Sequence, residues 1–262
     1  VSCRKALLEL HRRGLIPLPA AEESCFERSC AKLRTDGLND PPELRCTLQE
    51  LGEITIVIVS SRYSKTSQIW NGLLERFHYR GKGPLCGAQI RYLIRSSRYG
   101  WVGALAFSAA TWRLKARDEY IGWTEAARRA NLGLVVCNSR FLILPSVRVP
   151  HLASHILSLC LARLREDWTG RYGYEPVLVE TFVDPKRFSG TCYRAANWVP
   201  IGQTVARPRA YRNGKVADGP KDIYLYPIRR NWKRVLCAEP SVALCSMARP
   251  EAPADWTEEE FG

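Results

Sequence analysis

The sequence predicts an α/β (α+β) protein built on one mixed sheet flanked by helices. Three observations carry that reading. Strand-type and helix-type apolar patterns follow one another as strand, helix, hairpin, helix, strand, helix, strand, short helix, strand, which is the order of a layered architecture. Hydrophobic residues make up 46% and charged residues 25% of the 262, the balance of a packed chain rather than a disordered one. The longest strongly apolar stretch, residues 54–59, is strand-sized and far short of the ~18 residues of a membrane span, so no membrane partner is expected.

The head comes first. Residues 3–13 carry Leu7, Leu8 and Leu10 on a helical face, Gly14 follows as a stop, and Leu15, Ile16, Pro17, Leu18 and Pro19 continue as an extended run. A helix with this sequel reads as a partial winged-helix-like head, and the absence of an initial Met points to a truncated or alternative start. The opening is basic and amphipathic, unlike a secretory signal. Residues 20–50, polar and containing Pro41 and Pro42, read as a linker that completes the 1–50 head.

The core domain is expected over 51–230. Its first strand is the β-branched run 54–59, and Ile69, Leu73, Leu74 and Phe77 predict a helix over 66–79. Gly81, Gly83 and Pro84 mark a turn, and 88–95 with 101–108 form a hairpin pattern. Residues 109–131 are mostly helical with a break near 121–124, and 132–144 form a long strand interrupted by Asn138, Ser139 and Arg140. Residues 151–168, just after Pro150, give the clearest helix, followed by a strand over 176–183, a short helix or turn over 190–198 and a last strand over 222–228. The tail, 231–262, ends acidic at Glu258, Glu259 and Glu260 and is expected to be partly disordered.

A formal charge of +13 asks for a polyanionic partner, a nucleic acid before a membrane surface. Many basic proteins bind neither, so the placement of arginine beside aromatic residues matters more. Arg91 adjoins Tyr92, Arg98 adjoins Tyr99, Arg194 lies near Trp198, and Arg207 and Arg209 lead to Tyr211. Guanidinium groups clamp phosphates while aromatic faces stack on unpaired bases. DNA is the expected partner, with Arg91, Arg140, Arg194, Arg207 and Arg209 as candidate contacts.

Ten cysteines include no CxxC, and Cys137 and Cys160 sit in apolar segments, so reduced structural thiols in a cytoplasmic protein are expected. His151 and His155 share a helix face, but HLASH lacks the Glu of a zinc-protease helix, and no metal site is expected. No Walker loop or GxGxxG is present; Gly81-Lys82-Gly83 lacks the spacing, which leaves the start of the His151 helix as the candidate phosphate holder.

Glu180 and Asp184 lie four apart at the end of a strand pattern, where alternation puts them on one side with Phe182. They either pair with a buried arginine, Arg140 or Arg194, or perform acid–base or metal work. Asp118 reads as the structural partner of a nearby arginine. Asn138 and Arg140 interrupt an apolar run, and Tyr193 and Asn197 follow Asp184. Because buried polar groups are costly unless satisfied, these segments are expected to converge with His78 and Tyr79 on one polar site. Hydrogen bonding within the core is the alternative at each position. Asn138, His155, Asn197 and Asp118 are the expected structural members of that centre.

The strings WNGLLERFHYRG (70–81), GAQIRYLI (87–94), ARDEYIGW (116–123), NSRFLILP (138–145), HLASHILS (151–158), ETFVDPKRFSGTCYRAANW (180–198) and KDIYLYP (221–227) together resemble the Druantia anti-phage protein DruA family. The resemblance covers about 65–228 and the CRKALLELHRRGLIPLP head. It implies anti-phage defence beside a large helicase, with relatives near or fused to transposases. A fainter likeness joins Asp184, Gly190, Thr191, Tyr193, Ala196, Asn197, Trp198 and Gly202 to phage Mom-type DNA-modification proteins, which are similar to GNAT acyltransferases. That likeness implies a GNAT-like sheet whose strands 132–144 and 176–183 splay around the His151 helix. It places His78 and Asp184 in the reaction centre with Tyr193 as the acid. It also raises acyl-CoA as donor, against which VRVPHLASH lacks the glycines that admit a CoA pyrophosphate.

Two functional readings follow. The first is a group transferase that modifies a nucleic-acid base or end, with His78, Asp184 and Tyr193 moving protons, Glu180 beside them, and Arg91, Arg140 and Arg207 on the phosphates. The second is a non-catalytic DNA-binding adaptor for a helicase or transposase. A metal-dependent nuclease using Glu180 and Asp184 ranks last, for want of a third carboxylate.

Overall fold

The structure is a computed structural model that describes residues 10–15, 43–61, 63–205 and 219–239. The chain divides into two compact units, Val1–Leu38 and Asn39–Gly262. In the first, the described residues are the end of a helix: Gly14 turns left-handed at φ 69°, and the amides of Gly14 and Leu15 donate to the carbonyls of His11 and Leu10. The rest of the winged-helix-like expectation lies outside the described residues.

The second unit begins with β1 (Leu44–Arg45), α1 (Leu48–Leu51) and β2 (Ile54–Ile58). Helix α2 (Lys65–Phe77) leads to the hairpin β3 (Gln89–Ser96) and β4 (Gly100–Ala109). Helices α3 (Lys115–Ile121) and α4 (Glu125–Asn131) precede β5 (Val135–Ile143) and the short β6 (Val147–Arg148). Then come α5 (Leu152–Tyr172), β7 (Leu178–Val183), α6 (Thr191–Ala195), β8 (Val199–Gln203), β9 (Asp222–Pro227) and α7 (Trp232–Leu236).

Seven strands form one mixed sheet in the order β2-β3-β4-β5-β7-β9-β8. β5 and β7 are its one parallel pair; every other neighbouring pair is antiparallel. One face is covered by α5, whose Ile156, Leu157, Cys160, Leu164 and Trp168 pack with Tyr92, Leu105, Val136, Val179 and Tyr224 of the strands. On another part of the sheet Ile121 of α3 and Trp232 and Leu236 of α7 pack with Val135, Leu178 and Leu225. The expected mixed sheet flanked by helices is thus present. No described helix is long and apolar enough to cross a membrane.

Two features of the sheet position the site. β5 pairs with β7 only from Val135 opposite Leu178 to Asn138 opposite Thr181, after which the two strands part company. The Asn138–Ser139–Arg140 interruption is a β-bulge: Arg140 pairs with Ala106 and Asn138 with Phe107, so Ser139 is the extra residue. The bulge resets the alternation, which lets both Asn138 and Phe141 reach Tyr193.

Four segments differ from the sequence expectation. Part of the expected linker, 44–50, forms secondary structure: β1 pairs parallel with β6, and a Thr47–Glu50 capping box starts α1, which ends at the fully buried Leu51. Residues 110–114 are not helical, since α3 starts only at Lys115. β8 is a strand despite Pro200 and Gly202, because an edge strand tolerates a missing N–H. The tail opens with α7, held by burial of Trp232 and Leu236, while 240–262 lie outside the described residues.

Candidate functional site where two parallel strands part

Tyr193 of α6 sits at the point where β5 and β7 separate. Its hydroxyl donates to Asn138 Oδ1 at 2.8 Å, and Asn138 Nδ2 donates in turn to the Ala106 carbonyl at 3.1 Å. Thr181 Oγ1 donates to the Asn138 carbonyl at 3.0 Å and lies 3.4 Å from the Tyr193 hydroxyl. The phenol ring stacks on Tyr224 at 5.7 Å and meets Trp198 edge-on at 5.1 Å. Burial pushes the Tyr193 hydroxyl far above the ordinary tyrosine range. A buried, doubly engaged phenol of this kind welds strands to helix; the acid role expected for it has no solvent-facing proton to give.

His78 ends α2 and is half-buried. Its Nδ1 accepts the Arg80 amide at 3.2 Å, which places the ring proton on Nε2 and leaves a donor where a base was expected. Burial first, then the charges of Arg140 and Arg80, lower its pKa to about 4, so the ring is neutral at physiological pH. Arg140 is half-buried beneath the same loop and donates from Nε to the Gly81 carbonyl at 3.0 Å and from a terminal nitrogen to the Ser139 carbonyl at 2.7 Å. Gly83 passes so close that a Cβ there would lie 2.6 Å from the Arg140 guanidinium. Arg140 therefore braces the 79–83 loop.

Asp184 follows β7 and builds a turn. Its Oδ1 accepts the Lys186 amide at 3.1 Å, its carbonyl accepts the amides of Arg187 and Phe188, and its Oδ2 lies 3.6 Å from Arg187 Nε. These contacts account for its side chain, and no hydrogen bond or ion pair joins it to His78 or Tyr193. The turn delivers Arg187 and Phe188 to Tyr79. The Arg187 guanidinium lies 5.1 Å from the Tyr79 ring centre and the Phe188 ring lies 5.8 Å from it. Tyr79 stacks on His78 at 5.0 Å, and the Tyr79 and Phe188 side chains remain 41% and 53% exposed.

Glu180 is a correction. It points away from Thr181, as alternation requires, into a fully buried contact with Arg117 of α3 at 2.8 Å and the Thr111 amide at 2.8 Å. Burial raises the Glu180 carboxyl above its ordinary range and Arg117 opposes that rise. Its partner is thus neither Arg140 nor Arg194, and it takes no part in the site beside Asp184. Asp118 completes the group at 2.9 Å from Arg117. With Glu180 so engaged, a Glu180–Asp184 metal pair is not formed; among the described residues no three His, Cys, Asp or Glu cluster closely enough to hold a metal ion.

The remaining expected residues scatter. His155 is exposed on α5, and Asn197 is an exposed left-handed residue at φ 62° that turns the chain after α6, so neither belongs to the polar centre. Arg194 is exposed and donates to the Tyr224 hydroxyl at 3.0 Å. Arg91 lies on β3 beside Trp70. Arg207 and Arg209 lie outside the described residues, in a segment whose flanks are joined by the Thr204 amide and the Lys221 carbonyl at 2.8 Å. Arg187 and Phe188 are the members that sequence reasoning missed; Asp184-Pro185 was the turn signal that pointed to them.

The start of α5 was the place considered for a CoA pyrophosphate. His151 holds the left-handed φ of 63° that a glycine would otherwise supply. Ser154 donates its hydroxyl back to the His151 carbonyl, and Arg148 lies 3.3 Å from Glu43. At this helix start the Ser154 hydroxyl and the Arg148 guanidinium are thus both engaged within the protein.

A model of the Druantia protein DruA family matches residues 44–214, which hold the whole split and its rim. The chain belongs to the DruA family. Among solved structures, a chimera of spermidine N-acetyltransferase from Vibrio cholerae and hSSAT is 11% identical, with a TM-score of 0.40 over 67% of this chain and 95% of that one. A dodecameric spermidine N-acetyltransferase from Vibrio cholerae is 10% identical, with a TM-score of 0.35 over 54% of this DruA-family chain and 66% of that chain. The chain thus spans about two-thirds of that acetyltransferase. No curated protein matches the chain.

Proposed function

We propose that this DruA-family chain is the nucleic-acid-contacting component of a Druantia anti-phage defence system, acting on DNA in the cytoplasm. The observation that carries the reading is the rim at the split: two exposed aromatic rings, Tyr79 and Phe188, meet each other, and the Arg187 guanidinium lies over Tyr79. Exposed rings with cations beside them form a sequence-tolerant stacking surface for unpaired bases, each stack worth about 1–3 kcal/mol. Arg80, Lys82 and Lys186 stand on the two loops that supply the rim, and a Cβ built on Gly219, which follows the basic 206–218 stretch in sequence, would lie 3.7 Å from the Lys186 side chain. Arg140 supports this surface from below as a positioning residue.

Binding is better supported than group transfer because the three groups expected to move protons are otherwise engaged. Tyr193 is buried against Asn138, Asp184 holds a turn, and His78 offers a donor. A large helicase of the same system is the partner this adaptor would serve.

The test is a fluorescence-anisotropy titration of single-stranded and duplex DNA over a salt series. Tyr79→Ala with Phe188→Ala should weaken single-strand binding at least about tenfold while leaving the salt slope unchanged. Arg187→Ala should lower the slope by about one. Unchanged affinity in the double aromatic variant would overturn the reading.

A further inference from the structure

A cleft of about 700 Å³ opens beside the rim loop, lined by Trp70 and Glu75 of α2, Arg80 and Lys82 of the loop, and Gln89 and Arg91 of β3. Arg91 is half-buried there. Its guanidinium lies 5.3 Å from the Trp70 ring centre and donates to Ser67 Oγ at 3.1 Å, and among the described residues no carboxylate pairs with it. Burial, and after it the charge of Arg171, pull its pKa below the ordinary arginine value. A half-buried guanidinium without a carboxylate partner is unfavourable until an anion joins it.

The rest of the lining points the same way. Lys82 and Arg91 line the cleft together with Arg80, and Glu75 is the carboxylate among the lining residues. Gly81 and Gly83 adopt left-handed φ of 60° and 38°, and Arg140 fixes the Gly81 carbonyl, so the loop that presents Lys82 is braced.

We propose that this cleft is a phosphomonoester site, taking the end phosphate of a nucleic-acid strand or of a mononucleotide. The inference rests on the nucleic-acid reading above. A phosphomonoester carries about 1.5 to 2 negative charges at neutral pH, against one for a phosphodiester inside a strand, and so gains more from the Arg91 and Lys82 cations. The planar fork of Arg91 offers paired donors to two of its oxygens, with Lys82 as a point charge on the third. A strand held here by its end would continue along the same loop towards Tyr79.

The experiment compares internally labelled single-stranded oligonucleotides bearing a 5′-phosphate, a 3′-phosphate or hydroxyls at both ends, with a nucleoside monophosphate as competitor. A phosphorylated end should bind at least about tenfold tighter, the effect of one charge-assisted hydrogen bond. Arg91→Gln should abolish that preference, weakening binding of the phosphorylated strand more than that of the hydroxyl-ended strand, and Lys82→Ala, on an exposed loop, should reduce it. A preference for one strand end assigns the site to strands; equal competition by the mononucleotide assigns it to free nucleotides. Equal binding of all three strands without competition overturns the proposal. So does an Arg91→Gln loss that is the same for every end, which leaves the rim reading standing. If the wild-type chain binds no DNA, the rim reading falls, and calorimetric titration with the nucleoside monophosphate decides the cleft by itself: no heat of binding overturns it.

Discussion

Tyr193 and Asn138 are joined by a 2.8 Å hydrogen bond across the gap where β5 and β7 separate. The bond ties α6 to the sheet at the place where the strands no longer bond each other, and Thr181 closes the arrangement from β7. The gap is therefore filled by a satisfied polar group, and contact with a ligand passes to the residues above it.

Tyr193→Phe tests that division. It leaves Asn138 Oδ1 without its donor in a buried place, which should lower unfolding stability by about 1–3 kcal/mol. Urea denaturation measures the loss, and DNA affinity at a temperature where the variant is folded should match the wild type. A variant of normal stability that no longer binds would transfer the phenol to the binding surface.

Glu180 and Arg117 are both fully buried, so breaking the pair should be costly. Glu180→Ala strands the guanidinium in the interior and should cost about 3–5 kcal/mol, although Asp118 retains part of its neutralisation. Glu180→Gln, which still accepts the Thr111 amide, should cost less. Thermal melting of the two variants ranks them; equal melting would deny the pair its structural role.

Periodicity exposed the sheet's frame because each of its main strands and α5 buries one face continuously. β8 escaped because Val199-Pro200-Ile201-Gly202 has the residues of a turn and is a strand only through its pairing with β9. The Asn138–Arg140 interruption was legible as an anomaly, but its bulge required the partner strand β4. For Glu180, alternation supplied the direction of the side chain. Its partner could not be read, because Arg117 lies 63 positions away on a helix brought over by the fold. Asp184 misled for a different reason: an acid at a strand's end looks like a reacting group, yet Asp-Pro is equally the signature of a turn, and the turn is what the backbone amides record.

His78 should make stability depend on pH in a defined window. Its folded pKa of about 4 lies below the ordinary 6.5, so between these values the unfolded chain binds more protons and stability rises with pH. The contribution is complete above about 6.5 and is lost as pH falls towards about 4. Allowing for the ring's partial exposure, about 1–2 kcal/mol is at stake. Urea midpoints of wild type and His78→Gln, compared between pH 4 and 7, should converge at the acid end. Parallel curves would show that the imidazole ionises freely in the fold.

Asp184→Ala separates a turn from a catalyst. If Asp184 moved protons in a modification reaction, the variant would bind DNA normally and a modified nucleoside would vanish from cells carrying it. The hydrogen bond from the Lys186 amide and the ion pair with Arg187 predict the reverse. Losing the side chain loosens the turn that delivers Arg187 and Phe188 to Tyr79, by about 1 kcal/mol, so single-strand binding should weaken roughly fivefold. Phe188→Ala should weaken it in the same direction, and the two effects should not add, because the turn acts through that ring. Nucleoside masses from host and phage DNA should be identical with and without the variant. A mass present only with intact Asp184 would restore the carboxylate to chemistry and make the rim its substrate-holding surface.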